Sequence, residues 1–147
     1  KVMDEAWPRS TGEAMHTSTF LGHPVGCAMA LAQLDLLKSR DLARASYRQG
    51  AGWLKELQER FASMGHRVRV RGRGLMMGIE LLDARGFPDG AQVIAWAKRL
   101  LHEGVVVLPS GENGEVLSLS PPLIIGASHM QEASRKLLKT YRQLSSL

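Results

Sequence analysis

Arg67-Val68-Arg69-Val70-Arg71-Gly72-Arg73-Gly74-Leu75-Met76-Met77-Gly78-Ile79-Glu80-Leu81-Leu82 decides the fold class. Arg67 to Arg71 alternates Arg and Val, the period of a strand with one apolar face. Leu75 to Leu82 is a second strand candidate, after a break at Gly72-Arg73-Gly74. On both sides the period turns helical. Upstream, Asp41 is an N-cap for a helix that ends near Gly65 and carries Leu54, Leu57, Phe61 and Met64 as its stripe. Downstream, Arg85-Gly86-Phe87-Pro88 is a turn. Asp89 then caps a helix with the stripe Ile94, Ala97 and Leu101, closing at Gly104. Val105 to Leu108 and Glu115 to Ser120 read as two strands, joined as a hairpin by Ser110-Gly111-Glu112-Asn113-Gly114. Pro121-Pro122 stops the second strand. Ser128 and Gln131 stand at capping-box spacing for a last helix with the stripe Met130, Ala133, Leu137, Tyr141 and Leu144. Helix, strands, helix, hairpin, helix predicts an α+β fold: a short, mostly antiparallel sheet covered by helices.

The first forty residues read differently. Lys1 to Gly22 is irregular, punctuated by Pro8, Gly12 and Gly22, and looks like the tail of something upstream. Pro24 suits the first position of a helix. Val25, Cys27, Met29, Leu31, Leu34, Leu36 and Leu37 then make that helix apolar nearly all round. Such a helix is normally buried on several sides, which predicts a partner surface. The expected domains are 1–40 and 41–147.

Composition bounds the rest. The chain has 147 residues, 44% hydrophobic and 22% charged, which is normal for one globular domain with a real core. Its net charge of +5 is spread along the chain, so it suits an anionic ligand better than nucleic acid. The single cysteine, Cys27, excludes an intrachain disulfide and fits a reducing, cytoplasmic setting. It reads as a small buried hydrophobe. The longest near-apolar run, Pro24 to Leu37, is too short to span a bilayer, and no signal peptide is visible. The first residue is Lys1, and the expectation is a chain that begins inside a longer one.

Several patterns bear on chemistry. Gly72, Gly74 and Gly78 are spaced G-x-G-x-x-x-G, one residue too long for a dinucleotide fingerprint, and a strand follows where a helix is needed. A bend between strands explains them better. Arg67, Arg69, Arg71 and Arg73 line one strand face, but no aromatic interleaves to stack bases, so a solvated face is favoured. His16, His23, His66, His102 and His129 show no metal-ligand spacing, and no metal site is expected. No Ser/His/Asp set or Walker motif is visible. The loop His16-Thr17-Ser18-Thr19-Phe20-Leu21-Gly22-His23-Pro24 sets three hydroxyls ahead of the Pro24 helix. Hydroxyls, backbone N–H groups and a helix dipole together suit a phosphate, though such clusters are also common turns and caps.

Together these segments resemble the C-terminal part of the class III pyridoxal-phosphate aminotransferases, the ornithine and omega-amino-acid type of fold type I. His16 to Pro24 with Gly26-Cys27-Ala28 is similar to the family stretch H-x-S-T-[FY]-x-G-[NH]-P. Val70 to Leu81 is similar to R-G-x-G-L-M-x-G-[IV]-E, and Pro121-Pro122-Leu123-Ile124-Ile125 to P-P-L-[IV]-I. The resemblance covers essentially the whole chain. It implies an amino-group transfer between an amine or amino acid and a 2-oxo acid. It also implies that Thr19, with Ser18 beside it, holds the phosphate of pyridoxal 5'-phosphate in the active site of the neighbouring subunit of a homodimer. Residues 1–40 would be the tail of the large cofactor-binding domain plus a connecting helix, and 41–147 the small C-terminal domain.

Two departures stand against the pattern. The family's cofactor-binding lysine and its acidic partner of the pyridine nitrogen lie upstream of the loop, beyond Lys1. Lys38, Lys55, Lys98, Lys136 and Lys139 all fall on helical patterns instead. No catalytic residue is therefore expected here, and the piece alone should be inactive. Many members also carry an arginine three residues before the Pro-Pro pair, where a guanidinium grips the substrate carboxylate. This chain has Ser118 there. That keeps a racemase, aminomutase or decarboxylase of the same scaffold as alternatives, beside a stand-alone anion- or RNA-binding module using the Arg67–Arg73 face.

Overall fold

A computed structural model of the chain describes residues 2–6, 19–20, 22–65 and 67–144. It divides into two compact units, Lys1–Arg40 and Asp41–Leu147.

The second unit holds the sheet. Helix α3 (Leu42–Ala62) precedes strands β1 (Val68–Arg73) and β2 (Met76–Leu81). Helix α4 (Gly90–His102) leads to β3 (Leu108–Ser110) and β4 (Val116–Leu119), and α5 (Ala127–Leu144) follows. The strand order is β1-β2-β4-β3 and every pairing is antiparallel. The fold is α+β, as the sequence predicts. The turn between β1 and β2 is tighter than expected. Gly72 and Arg73 stay paired, opposite Met77 and Met76, so only Gly74 and Leu75 turn. Gly74 takes φ +57, a conformation that L side chains rarely adopt. The hairpin also rules out a dinucleotide site at these glycines, because no helix N-terminus follows them.

Alternation places the core on one sheet face. Met77, Ile79 and Leu81 of β2 and Leu117 and Leu119 of β4 are buried with Trp53, Leu57 and Phe61 of α3, Trp96 and Leu100 of α4, and Leu137 and Tyr141 of α5. Phe61, Trp96 and Tyr141 meet edge-on or tilted, with ring centroids 5.4–5.8 Å apart. Burying two tryptophans requires partners for their N–H groups. Hydroxyls of α5 supply them: Trp53 Nε1 donates to Ser134 Oγ and Trp96 Nε1 to Thr140 Oγ1, both at 2.8 Å. Helix α3 approaches the β1–β2 turn so closely that a Cβ on Gly50 would strike the backbone of Gly74. Ser46 Oγ accepts the Leu75 N–H beside that contact, at 3.2 Å.

Several local expectations shift. The α4 stripe is Val93, Trp96 and Leu100, one residue earlier than Ile94 and Leu101, which are exposed. Asp89 does cap α4, accepting from Gln92 N at 3.0 Å. Asp41 occupies the N-cap position of α3 but is left-handed (φ 46) and its carboxylate caps nothing. It faces Arg44 at 3.7 Å instead. Ser128 lies inside α5, which starts at Ala127, so it is not the cap. Val105 and Val106 stay outside β3.

In the first unit, α1 (Val2–Ala6) forms where no regular element is expected. Helix α2 (Pro24–Ser39) starts at Pro24 as predicted, but it has no buried residue. Met29 is 67% exposed and Leu31 64%. Cys27 is exposed as well, which corrects its reading as a buried hydrophobe.

Candidate functional site

The loop ahead of α2 is described at Thr19, Phe20, Gly22 and His23, whereas Ser18 and His16 lie outside the described residues. Thr19 is exposed and sits in a turn with Phe20. Phe20 (φ 61) and Gly22 (φ 71) both have positive φ. This reverses the chain so that His23 N donates to Phe20 O at 3.0 Å. The Phe20 and His23 rings meet edge-on at 6.0 Å. His23 stays extended (φ −60, ψ 126), as the residue before a proline does, and Pro24 opens the helix.

What this end can hold follows from its donors. The His23 side chain makes no cap hydrogen bond to α2, and the first turn has no acidic residue. A helix N-terminus carries partial positive charge and outward N–H groups. With the Thr19 hydroxyl nearby in sequence, this donor set suits a phosphate. Histidine is a poor N-cap, which agrees with the absence of a cap hydrogen bond from His23.

The remaining sequence candidates are scattered. Ser118 lies on β4, where its hydroxyl meets Ser110 Oγ at 2.8 Å. Ser110 Oγ also lies 3.3 Å from Val116 O, to which it can donate. Arg69 and Arg71 are on the outer sheet face, and both approach Glu80 Oε2, at 3.6 and 3.3 Å. Glu80 is only 12% exposed there. This neutralisation weakens the arginine stripe as a nucleic-acid surface. Lys38 is on α2, Lys55 on α3, Lys98 on α4, and Lys136 and Lys139 on α5. Lys139 donates to Glu103 and Lys136 pairs with Glu132, each at 2.7 Å. Those contacts hold both carboxyls below the ordinary carboxylate range. Among the described residues no group of His, Cys, Asp and Glu could hold a metal ion. Among them, too, no helix is long and apolar enough to cross a membrane.

Comparison with known proteins is consistent along the chain. The family model of class-III aminotransferases matches residues 1–140. An ornithine aminotransferase from Bordetella pertussis is 36% identical over 122 residues, covering 83% of this chain and 27% of that protein. An omega-aminotransferase from Caulobacter vibrioides is 34% identical over 130 residues, covering 86% of this chain and 28% of that one. Among solved structures, an amine transaminase from an uncultivated Pseudomonas species, in a PLP-bound form, superposes with a TM-score of 0.76. That structure is 34% identical and is matched over 88% of this chain and 30% of its own. The chain thus spans under a third of the length of these relatives.

Proposed function

The chain belongs to the class-III aminotransferases, a pyridoxal-phosphate-dependent family, and from that premise we propose that it serves as the C-terminal part of such an enzyme. The reaction moves an amino group between an amine or amino acid and a 2-oxo acid. Residues 1–40 would be the tail of the large domain with its connecting helix, and 41–147 the small domain. The setting is cytoplasmic.

Thr19 and Ser18 hold the cofactor phosphate in this reading. The observation that carries it is the start of α2 behind the Thr19 turn, where His23 supplies no side-chain cap and the first turn holds no acid, in a chain matched to the family over residues 1–140. The Thr19 hydroxyl donates to a phosphate oxygen, and the helix end favours the negative charge. When bound, pyridoxal phosphate supplies the electron sink for amino-group chemistry. The lysine that carries it and the acid facing its ring nitrogen come from outside the 147 residues, so the chain by itself is inactive. The phosphate belongs to the active site of a second copy, making the enzyme a homodimer with shared sites. The exposed apolar surface of α2 supports a covering partner.

The test is cofactor retention in the parent enzyme carrying Thr19→Val or Thr19→Ala. Loss of a hydrogen bond to a charged group costs about 1.5–3 kcal/mol. That corresponds to roughly 10- to 150-fold weaker binding. Unchanged retention of pyridoxal phosphate, read by absorbance after dialysis, removes Thr19 from the phosphate site.

A further inference from the structure

Away from the Thr19 loop, a groove runs between α3 and α5. Two adjoining cavities of about 310 and 490 Å³ form it, both bordered by Glu56 and Gln131. On α3 it extends from Arg48 to Arg60, which at 1.5 Å per residue is about 18 Å, or three helical turns. Its floor includes Trp53 and Leu138, both buried, and half-buried Met130. The Trp53 indole N–H is already engaged by Ser134.

The rim is cationic. Among the described residues, Arg48, Arg60, Arg135, Lys139 and Arg142 line the groove with one carboxylate, Glu56. Arg60 takes Glu56 at 3.0 Å, and Glu103 takes Lys139 at 2.7 Å. Arg48 and Arg135 are exposed, one on each wall. The fold thus gathers positive charge that the sequence spreads over about a hundred positions. Arginine and lysine stems add aliphatic surface to the walls.

We propose that the α3–α5 groove docks an acidic, amphipathic segment of a partner protein. Its carboxylates face Arg48 and Arg135, and its apolar side lies on half-buried Met130 and the aliphatic stems of the rim. Such a segment matches both the length and the charge of the groove, in the helix-in-groove mode. A nucleic acid matches less well. Bases need exposed aromatic faces, and Trp53, the one aromatic lining these cavities among the described residues, is only 4% exposed. The proposal does not depend on the cofactor reading.

The experiment uses the full chain and a labelled synthetic helical peptide of about 15 residues, with leucines at i, i+3, i+4 and i+7 and glutamates between them. A control peptide carries lysine for every glutamate. Fluorescence anisotropy should show the glutamate peptide binding at low salt, with affinity falling about tenfold as salt is raised past the screening range. Arg48→Glu with Arg135→Glu should weaken binding about tenfold or more. Lys55→Glu, outside the groove on α3, should change it less than about twofold. Single Arg48→Gln and Arg135→Gln variants, each expected to lose about threefold, serve if the double reversal fails to fold. The proposal is overturned by equal binding of the lysine peptide, by indifference to the arginine variants, or by no binding at low salt. Displacement of the peptide by poly(U) RNA at lower concentration also overturns it, in favour of a nucleic-acid surface.

Discussion

Helix α2 and the unit at Asp41–Leu147 are both rich in aliphatic residues, yet they end in opposite situations. The second unit closes its own core: helices α3, α4 and α5 share one sheet face, and Leu57, Ile79, Trp96, Leu117 and Leu137 have no exposure. Helix α2 carries Val25, Met29, Leu31, Leu34 and Leu36 in the open. Apolar composition makes a core only where amphipathic elements face one another. An all-round apolar helix has no solvent face to orient it, so its burial depends on surfaces brought from elsewhere.

The contrast is broken most strongly at Trp96. Trp96→Ala removes the shared partner of Phe61 and Tyr141 and leaves Thr140 without its indole donor. It should cost the second unit about 3–5 kcal/mol in urea unfolding followed by circular dichroism. Leu34→Ala, on the exposed helix, should stay within about 0.5 kcal/mol. A comparable loss at Leu34 would mean that α2 is buried in the chain as it exists in solution.

Glycines sharpen the same contrast through opposite signs. Gly50→Ala drives a methyl into the Gly74 backbone and should destabilise by about 1–3 kcal/mol. Gly26→Ala meets nothing within 4 Å in α2. There the better helix former should raise helicity, by roughly 0.5–1 kcal/mol in helix stability. Melting both variants beside the unaltered chain checks the pair. Equal signs would show that the two helices share one environment.

The smallest effect is on pH dependence. Hydrogen bonding and charge from Lys139 and Lys136 hold Glu103 and Glu132 below the usual carboxylate range. A lowered folded-state pKa contributes stability that is complete above the unfolded value and is lost as pH falls through the folded one. Glu103→Gln with Glu132→Gln should therefore flatten the acid limb of a stability profile of this unit and leave its neutral plateau slightly lower. An unchanged limb would assign acid sensitivity to Asp83 or Glu115, whose carboxyls backbone N–H groups also hold low.

Much of this was legible residue by residue, and the α4 stripe shows why part of it was not. Asp89 before Gly90 names its own cap, and Pro24 its own helix start, because both effects act within one turn. The α4 stripe was misplaced by one residue. Ile94 and Leu101 keep helical spacing as well as Val93 and Leu100 do, so period reveals spacing but not phase. Trp96 settles the phase, since Thr140 receives its N–H from a helix 44 residues away. The candidate site divides likewise. The run from His16 to Pro24 shows hydroxyls ahead of a proline-started helix in one dimension, whereas the α3–α5 groove joins residues as far apart as Arg48 and Arg142 and has no linear trace.

The residues alone, then, carried the element types from Asp41 onward, the hairpin between Val105 and Ser120 and the family, because these rest on local backbone preference and contiguous motifs. Only the tertiary structure decided which helix faces became core, that Gly50 must lack a side chain, that Arg69 and Arg71 share Glu80, and that dispersed cations meet across α3 and α5. Those outcomes are set by packing and charge between residues far apart in the chain, and no local pattern encodes them.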